Sequence, residues 1–336
     1  MKTFLQGVSK TMILVTGGAG YIGSIVAEEL LKGGYEVIVL DNLQQGHRDA
    51  VPTGAAFVLA DICDPQALEE AFHRHRIDAV MHLAAETVVQ LSMTDPARHF
   101  QNNVVGGLKL LEAMLKHDAR RLIFSSSAAV YGEPRTTPID EDHPKVPVNA
   151  YGESKLIYER ILEWYGRAYG LEFIALRYFN AAGASEHLGE DHSPETHLIP
   201  KVLKTALDKS TPVTIFGTDY PTRDGTCVRD YVHVVDIARA HILALERLEG
   251  LGGRAYNLGC GEGYSVMEVV EVAKKVTGVD IPTKTCSRRP GDPPVLVASS
   301  RLAREELGWK PEYGELESII RSSWRWMREH PEGYSH

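Results

Sequence analysis

Between a short apolar run, Met12-Ile-Leu-Val-Thr16, and a stretch of helical periodicity, Tyr21 to Lys32, lies Thr16-Gly-Gly-Ala-Gly-Tyr-Ile-Gly23. Its glycines at 17, 20 and 23 form G-x-x-G-x-x-G. Gly17 permits a tight turn, Gly20 lets backbone approach a pyrophosphate, and Gly23 lets the helix pack close to the strand. The N-terminus of that helix presents free N–H groups to an anion. A glycine motif alone also fits a βα turn with no ligand; the order strand, turn, helix is what makes this one specific.

The pattern continues through the first half. Glu36-Val-Ile-Val-Leu40, Ala56-Phe-Val-Leu59, Ala79-Val-Met-His82 and Arg121-Leu-Ile-Phe124 read as further buried strands, with helices at Pro65–His75 and Ala97–His117 between them. Continuous apolar runs alternating with helices predict a parallel sheet covered on both faces, the doubly wound α/β plan of Rossmann type. After Asn180 the pattern loosens. Ala181 to Thr196, rich in Gly, Ser, Glu and His, reads as a long surface loop. Helices are expected near Leu198–Asp208, Val234–Leu248, Val266–Val276 and Leu316–Met327, and a strand near Val213–Phe216. The expected division is a cofactor domain over 1–180 and a smaller α/β substrate domain over 181–336, some of whose segments pack back on the first. Met1 to Lys10 lacks an apolar h-region and reads as an extension, not a signal peptide.

Composition excludes several classes. The net charge of −9 over 336 residues argues against a general nucleic-acid binder but leaves room for a local basic pocket. No apolar run approaches membrane-spanning length. Cys63, Cys227, Cys260 and Cys286 are scattered, with no C-x-x-C pair, which reads as reduced cytoplasmic thiols. His73, His75, His117 and His233 show no metal-ligand spacing, and no metal is expected.

Two further signals carry chemistry. Asp41 ends the second apolar run, close to the spacing of about 20 residues at which an acid meets the cofactor ribose. A carboxylate there accepts from a 2′-hydroxyl and repels a 2′-phosphate, favouring NAD over NADP. Asp61 and Ile62, after the third run, fit either an adenine bracket or a turn aspartate ahead of Pro65. Tyr151 and Lys155 stand four apart in Asn149-Ala-Tyr-Gly-Glu-Ser-Lys155, downstream of Ser125-Ser126-Ser127. Residues at i and i+4 share a helix face. A phenol of pKa about 10 beside a cation is shifted toward phenolate, as a general base for an alcohol requires. Ser127 would hydrogen-bond the same hydroxyl. The plainer reading is two amphipathic side chains on a half-exposed face; the nicotinamide site in the same domain favours the chemistry.

Ser127, Tyr151 and Lys155 on such a domain resemble the extended short-chain dehydrogenase/reductase superfamily. Within it the chain is similar, from Met12 to about Tyr334, to the UDP-glucose 4-epimerase family. The carrying stretches are VTGGAGYIGS (15–24), VLDNL (39–43), FSSSAAVYG (124–132), YGESK (151–155), RYFNAAGA (177–184), GEDH (189–192), FGTDYPTRDGTCVRDYVHVVD (216–236), YNLGCGEGYSV (256–266) and RRPGD (288–292).

The resemblance implies that Gly17, Gly20, Tyr21, Ile22, Gly23, Asp41, Asn42, Asp61 and Ile62 line the NAD site. Leu83, Ala84, Ala85, Asn102, Ser125, Tyr151, Lys155 and Phe179 would line it too. Ser127 and Tyr151 would flank the sugar 4-hydroxyl, with Asn180 and His197 on the UDP-sugar. Leu198 and Thr214-Ile215-Phe216 would surround the uracil, Arg229 and Arg289 grip the diphosphate, and Asp292 bond the uridine ribose. Guanidinium forks suit a diphosphate in an acidic chain.

Some positions depart from the family's pattern. Thr87 stands where many members carry lysine, Gln45 and His197 where they carry asparagine, and Leu296 where some place a tyrosine beside the sugar. The implied activity is interconversion of UDP-glucose and UDP-galactose by oxidation at C4, rotation and re-reduction, with NAD retained. The alternatives are a 4-epimerase of UDP-GlcNAc, a UDP-pentose or UDP-glucuronate, a nucleotide-sugar dehydratase, and an NAD-sensing regulator. Ala128-Ala129-Val130 after Ser127 speaks against the dehydratase, and the Ser127, Tyr151 and Lys155 set against the regulator. The family is commonly homodimeric through two helices, here near Ala97–His117 and Ala150–Tyr169, with Leu108, Leu111 and Leu115 as an apolar stripe.

Overall fold

The five apolar runs of the first half become parallel strands, and a sixth strand that the sequence reading did not name joins them. In the computed structural model, which describes residues 11–208, 211–289 and 292–334, they are Met12–Thr16 (β1), Glu36–Asp41 (β2), Ala56–Leu59 (β3), Ala79–His82 (β4), Arg121–Ser127 (β5) and Glu172–Tyr178 (β6). The later strands are Asn180–Ala182 (β7), Val213–Phe216 (β8), Val228–His233 (β9), Arg254–Leu258 (β10), Gly263–Ser265 (β11), Thr283–Cys286 (β12) and Val295–Leu296 (β13). The large sheet runs β10-β6-β5-β4-β1-β2-β3, parallel throughout. Met1 to Lys10 lies outside the described residues.

Alternation along β1 sorts the core into two layers. Ile13 and Val15 pack with Ile25 and Val26 of the helix Tyr21–Lys32 and with Ile237 and Ala238 of the helix Val234–Glu246. Leu14 faces the other way, onto Leu68, Leu110 and Leu162 of the helices Pro65–Arg74, Gly107–Lys116 and Ala150–Tyr169. All three β1 residues are fully buried.

Residues 234–258 extend the large sheet's own layers, because β10 pairs with β6. The remaining strands form smaller sheets: β9 pairs with β7, β11 and β13, and β8 with β12.

The single helix expected over Ala97–His117 is built in three parts. Pro96–Phe100 leads into a wider turn, Gln101–Gly106, and then Gly107–Lys116. Such wide turns reposition side chains and occur often at functional sites; this one carries Asn102 and Asn103. The stretch expected as a surface loop is largely covered. Ala182, Ala184, Leu188 and Gly189 are buried, and Tyr334 accepts from Gly189 N–H at 3.0 Å. The sequence pattern missed this because the cover comes from the far C-terminal helix Leu316–Glu329 and the residues after it.

Candidate active site

Ligands of open α/β sheets bind beyond the carboxyl ends of the strands, where the strand order reverses. Here the reversal falls between β1 and β4, and a cavity of about 900 Å³ opens there.

Its floor is the glycine turn. Gly17 has φ +71°, and a Cβ there would lie 2.5 Å from the Ala84 nitrogen, so glycine alone fits. The helix that follows starts at Gly20 with no side-chain cap, leaving its first N–H groups to face the cavity. Asp41 accepts from Ala19 N–H at 3.0 Å and Leu43 N–H at 2.8 Å, which ties the turn to β2. Burial raises its pKa and these two bonds oppose the rise. Asn102 has a buried Oδ1 with no partner, on the cavity wall. A capless helix start, a cradle that excludes a Cβ and an unmet acceptor are what a dinucleotide would complete, so the residues fit NAD.

Tyr21, Ile22, Gly23, Asn42, Ile62, Leu83, Ala84, Ala85, Ser125 and Phe179 also line this cavity. Asp61 does not reach its wall. It accepts from Asn42 Nδ2 at 2.9 Å and from Cys63 N–H at 2.7 Å, fixing the strand end behind Asn42.

At the other side of the turn, Ser127 ends β5 and its Oγ accepts from Ala129 N–H at 3.1 Å. Asn149 caps the helix Ala150–Tyr169 through Gly152 N–H at 2.8 Å. A Cβ on Gly152 would lie 2.4 Å from the Ala129 carbonyl. That close approach brings Tyr151 to Ser127. Tyr151 is partly buried; burial raises its pKa and the Ser127 hydroxyl opposes this. Lys155 Nζ donates to the Ser125 carbonyl at 2.8 Å and lies 5.8 Å from the Tyr151 ring centre. Burial pushes the Lys155 pKa down to about 7, against Glu159 one turn along. The sequence reading had Lys155 lowering the Tyr151 pKa; in the protein alone the lysine is not among the groups that shift it.

Sequence reasoning did not find the groups behind these residues. Arg177 holds Glu159 through two bonds, at 2.9 and 2.6 Å, and donates to Tyr131 Oη at 2.9 Å. Ser126 donates to the same Glu159 at 2.5 Å. Asn103 bonds Glu86 N–H, the Glu86 carbonyl and Ser154 Oγ, fastening the loop after β4 to the helix that carries Tyr151. Nothing in their spacing marks them, since all are partners of distant residues.

The far wall is formed by β8, β9 and the helix Leu198–Asp208. Leu198, Thr214 and Phe216 line it, whereas Ile215 points into the core, as strand alternation requires. Arg229 pairs with Asp292 and donates to the Val228 carbonyl at 2.7 Å. Arg289 is exposed, with its guanidinium 3.9 Å above the Phe216 ring. Asn180 donates to the Asp230 carbonyl at 2.8 Å. His197 stands at the rim against Glu190. Thr87 and Gln45 also face the cavity; Leu296 does not, and instead packs with Phe179 around Val130 and Leu156.

Residues 13–259 match the NAD dependent epimerase/dehydratase family. This chain belongs to that family. A UDP-glucose 4-epimerase of Halalkalibacterium halodurans is 52% identical over 327 residues, 96% of this chain and 97% of that one. A crystal structure of a UDP-glucose 4-epimerase superposes with a TM-score of 0.95 at 47% identity, covering 97% of this chain and 100% of the other. The Brucella ovis UDP-glucose 4-epimerase, solved in complex with NAD, gives a TM-score of 0.91 at 46% identity, covering 94% and 98%. Within the epimerase/dehydratase family the chain therefore stands with the UDP-glucose 4-epimerases.

Proposed function

We infer that this protein interconverts UDP-glucose and UDP-galactose with NAD as its cofactor. The observation that carries the reading is one cavity that joins the glycine turn, Ser127 with Tyr151, and the Arg229 wall. We assign Gly17, Gly20, Asp41, Asn102 and Lys155 to holding NAD, and Ser127 and Tyr151 to the sugar 4-hydroxyl. Asn180, His197, Leu198, Thr214, Phe216, Arg229, Arg289 and Asp292 are assigned to the UDP-sugar. Ile215 and Asp61 support their neighbours from behind. The proposed division remains a cofactor unit over 1–180 and a substrate unit over 181–336, with 234–258 built into the first unit's layers.

NAD held by Gly17, Gly20, Asp41, Asn102 and Lys155 would supply the hydride acceptor for sugar C4 and the donor for its return. Tyr151 takes the 4-hydroxyl proton and gives it back, while Ser127 hydrogen-bonds that oxygen and orients it. Lys155 spends one N–H on Ser125 and, when protonated, keeps two for a ribose. The 4-keto sugar must turn between the two transfers. Arg229 and Arg289 make that possible by holding the diphosphate, so that binding energy far from C4 fixes position without fixing the pyranose.

The chain has free thiols at its four cysteines, which supports a cytoplasmic setting. Among the described residues no helix is long and apolar enough to cross a membrane. Leu111 of the expected dimer stripe is core, whereas Trp164 and Tyr169 are exposed on the helix Ala150–Tyr169, as is Met93 nearby. These exposed apolar side chains support a homodimer.

Purified protein incubated with UDP-galactose, with no NAD added, tests the reading. UDP-glucose is the expected product, and protein carrying NAD that forms none would overturn it. Parallel incubations with UDP-GalNAc and UDP-xylose decide the sugar.

A further inference from the structure

We infer that Glu190, His192, Glu195 and His197 form a binding site for one divalent metal ion with the coordination chemistry of zinc. Four donor-bearing side chains within eight residues place one ligand atom each within 4.8 Å of all the others. His192 Nδ1 lies 3.0 Å from Glu190 Oε1. His197 Nδ1 lies 2.5 Å from the same oxygen and 3.4 Å from Glu195 Oε1. Zinc bonds of about 2.0–2.2 Å to nitrogen and oxygen put neighbouring tetrahedral ligands about 3.3 Å apart. Three of the separations, 2.5, 3.0 and 3.4 Å, bracket that spacing, and no pair of the four exceeds 4.8 Å.

A second observation points to a cation independently of the clustering. The Glu195 side chain is only 7% exposed. Its Oε1 accepts from His197 N–H at 2.7 Å, but its Oε2 is buried with no hydrogen-bond partner. An unmet carboxylate oxygen is costly to bury. Glu190, also 7% exposed, stands in the same cluster. The two carboxylates meet His192 and His197; a doubly charged ion would take the place of the imidazole protons between them, with the two imidazoles completing a four-ligand set.

The loop does not need the ion to reach this shape. Tyr21 donates to the Gly183 carbonyl at 2.6 Å, His47 Nε2 meets the Asp191 carbonyl at 2.9 Å, and Asp191 accepts from Tyr334 N–H at 3.0 Å. The cluster is therefore held from both sides before any metal arrives. Four protein ligands leave no open position, the mark of a structural site. Glu190, His192 and His197 also line the large cavity, so the ion would brace that wall where the loop enters the helix Leu198–Asp208. This bracing role rests on the function proposed above; the binding itself does not. The sequence expectation of no metal rests on histidines elsewhere, whereas E-x-H-x-x-E-x-H falls at the end of the stretch that reads as a surface loop.

The test is cobalt and zinc titration of full-length protein dialysed against chelator, read by metal analysis and visible absorption. One Co(II) per chain, with the intense visible bands of a tetrahedral site and displacement by zinc, is expected. Glu190→Gln and His192→Ala, checked for native circular dichroism, should each weaken binding about tenfold or more. Zinc should also raise the melting temperature of the unsubstituted protein, which keeps a readout if a variant fails to fold. No binding in excess metal would overturn the site, as would cobalt bound with undiminished affinity in both folded variants. Neither result bears on turnover of UDP-sugars, so failure here is distinct from failure of the epimerase reading.

Discussion

Lys155 Nζ donates to the Ser125 carbonyl at 2.8 Å, across from β5, while the Tyr151 ring centre lies 5.8 Å away. The lysine is buried, and burial holds its pKa down to about 7. An unfolded lysine keeps its proton to about pH 10.4. Between these values the unfolded chain binds the extra proton, so this group's contribution makes stability rise with pH from about 7 to about 10. Below that window the buried charge is a standing cost. Lys155→Met should therefore lose epimerase activity yet, in cofactor-free protein, melt a few degrees higher near pH 7. The difference should shrink as pH approaches 10. A melting-temperature series across pH checks this, and a gap independent of pH would refute the assignment.

The Tyr151 phenol meets the Ser127 hydroxyl at the end of β5, and both line the cavity. Replacing it by phenylalanine keeps the ring's packing and removes the proton acceptor. A positioned general base contributes about 10²–10⁴-fold. Tyr151→Phe should lower kcat by that order while the protein still binds NAD and the UDP-sugar. Steady-state rates with retained cofactor, read from absorbance, provide the check. Full activity in the variant would remove Tyr151 from the chemistry.

The pair behind the site is predicted to matter for folding. The Arg177 and Glu159 side chains are 4% and 7% exposed and meet at 2.6 Å. Removing one partner of a buried pair leaves a charge without its counterpart, at a cost of about 3–5 kcal/mol. Arg177→Met should lower the melting temperature substantially, and adding Glu159→Leu should recover part of the loss. Denaturation midpoints of the two variants decide it; a double variant no more stable than the single one would mean the ion pair is not the cause.

How much of this was legible follows from the range of each interaction. β1, the helix Tyr21–Lys32 and β2 are written in local periodicity, and Gly17 in the demand of one turn, so sequence alone located them. Tyr151 and Lys155 share a helix face, which spacing shows. Lys155 pointing to Ser125 depends on where β5 lies, and no spacing carries that. Glu159 and Arg177 are eighteen residues apart and meet only because the helix packs on β6. The cover over Ala182 and Leu188 comes from the far C-terminus, so their stretch reads as exposed when it is not. Ile215 was expected at the uracil as one of three consecutive residues; strand alternation admits only its two neighbours.

Arg229 is already engaged by Asp292 before any ligand arrives. A diphosphate must therefore compete with that carboxylate, and the guanidinium is pre-placed by it. Its side chain is 13% exposed, so its bond to a phosphate forms largely out of water, where charged hydrogen bonds contribute about 1.5–3 kcal/mol. The diphosphate is remote from C4 and is held alike in the ground and transition states. Loss of such uniform binding raises KM and leaves kcat unchanged. Arg229→Met should thus raise KM for UDP-galactose roughly tenfold to a hundredfold, the equivalent of that energy at about 1.4 kcal/mol per decade. Arg289→Ala, removing an exposed guanidinium stacked on Phe216, should raise KM less. Initial-rate kinetics on the two variants test the assignment. A fall in kcat with KM unmoved would place Arg229 at the reacting sugar instead of at its anchor.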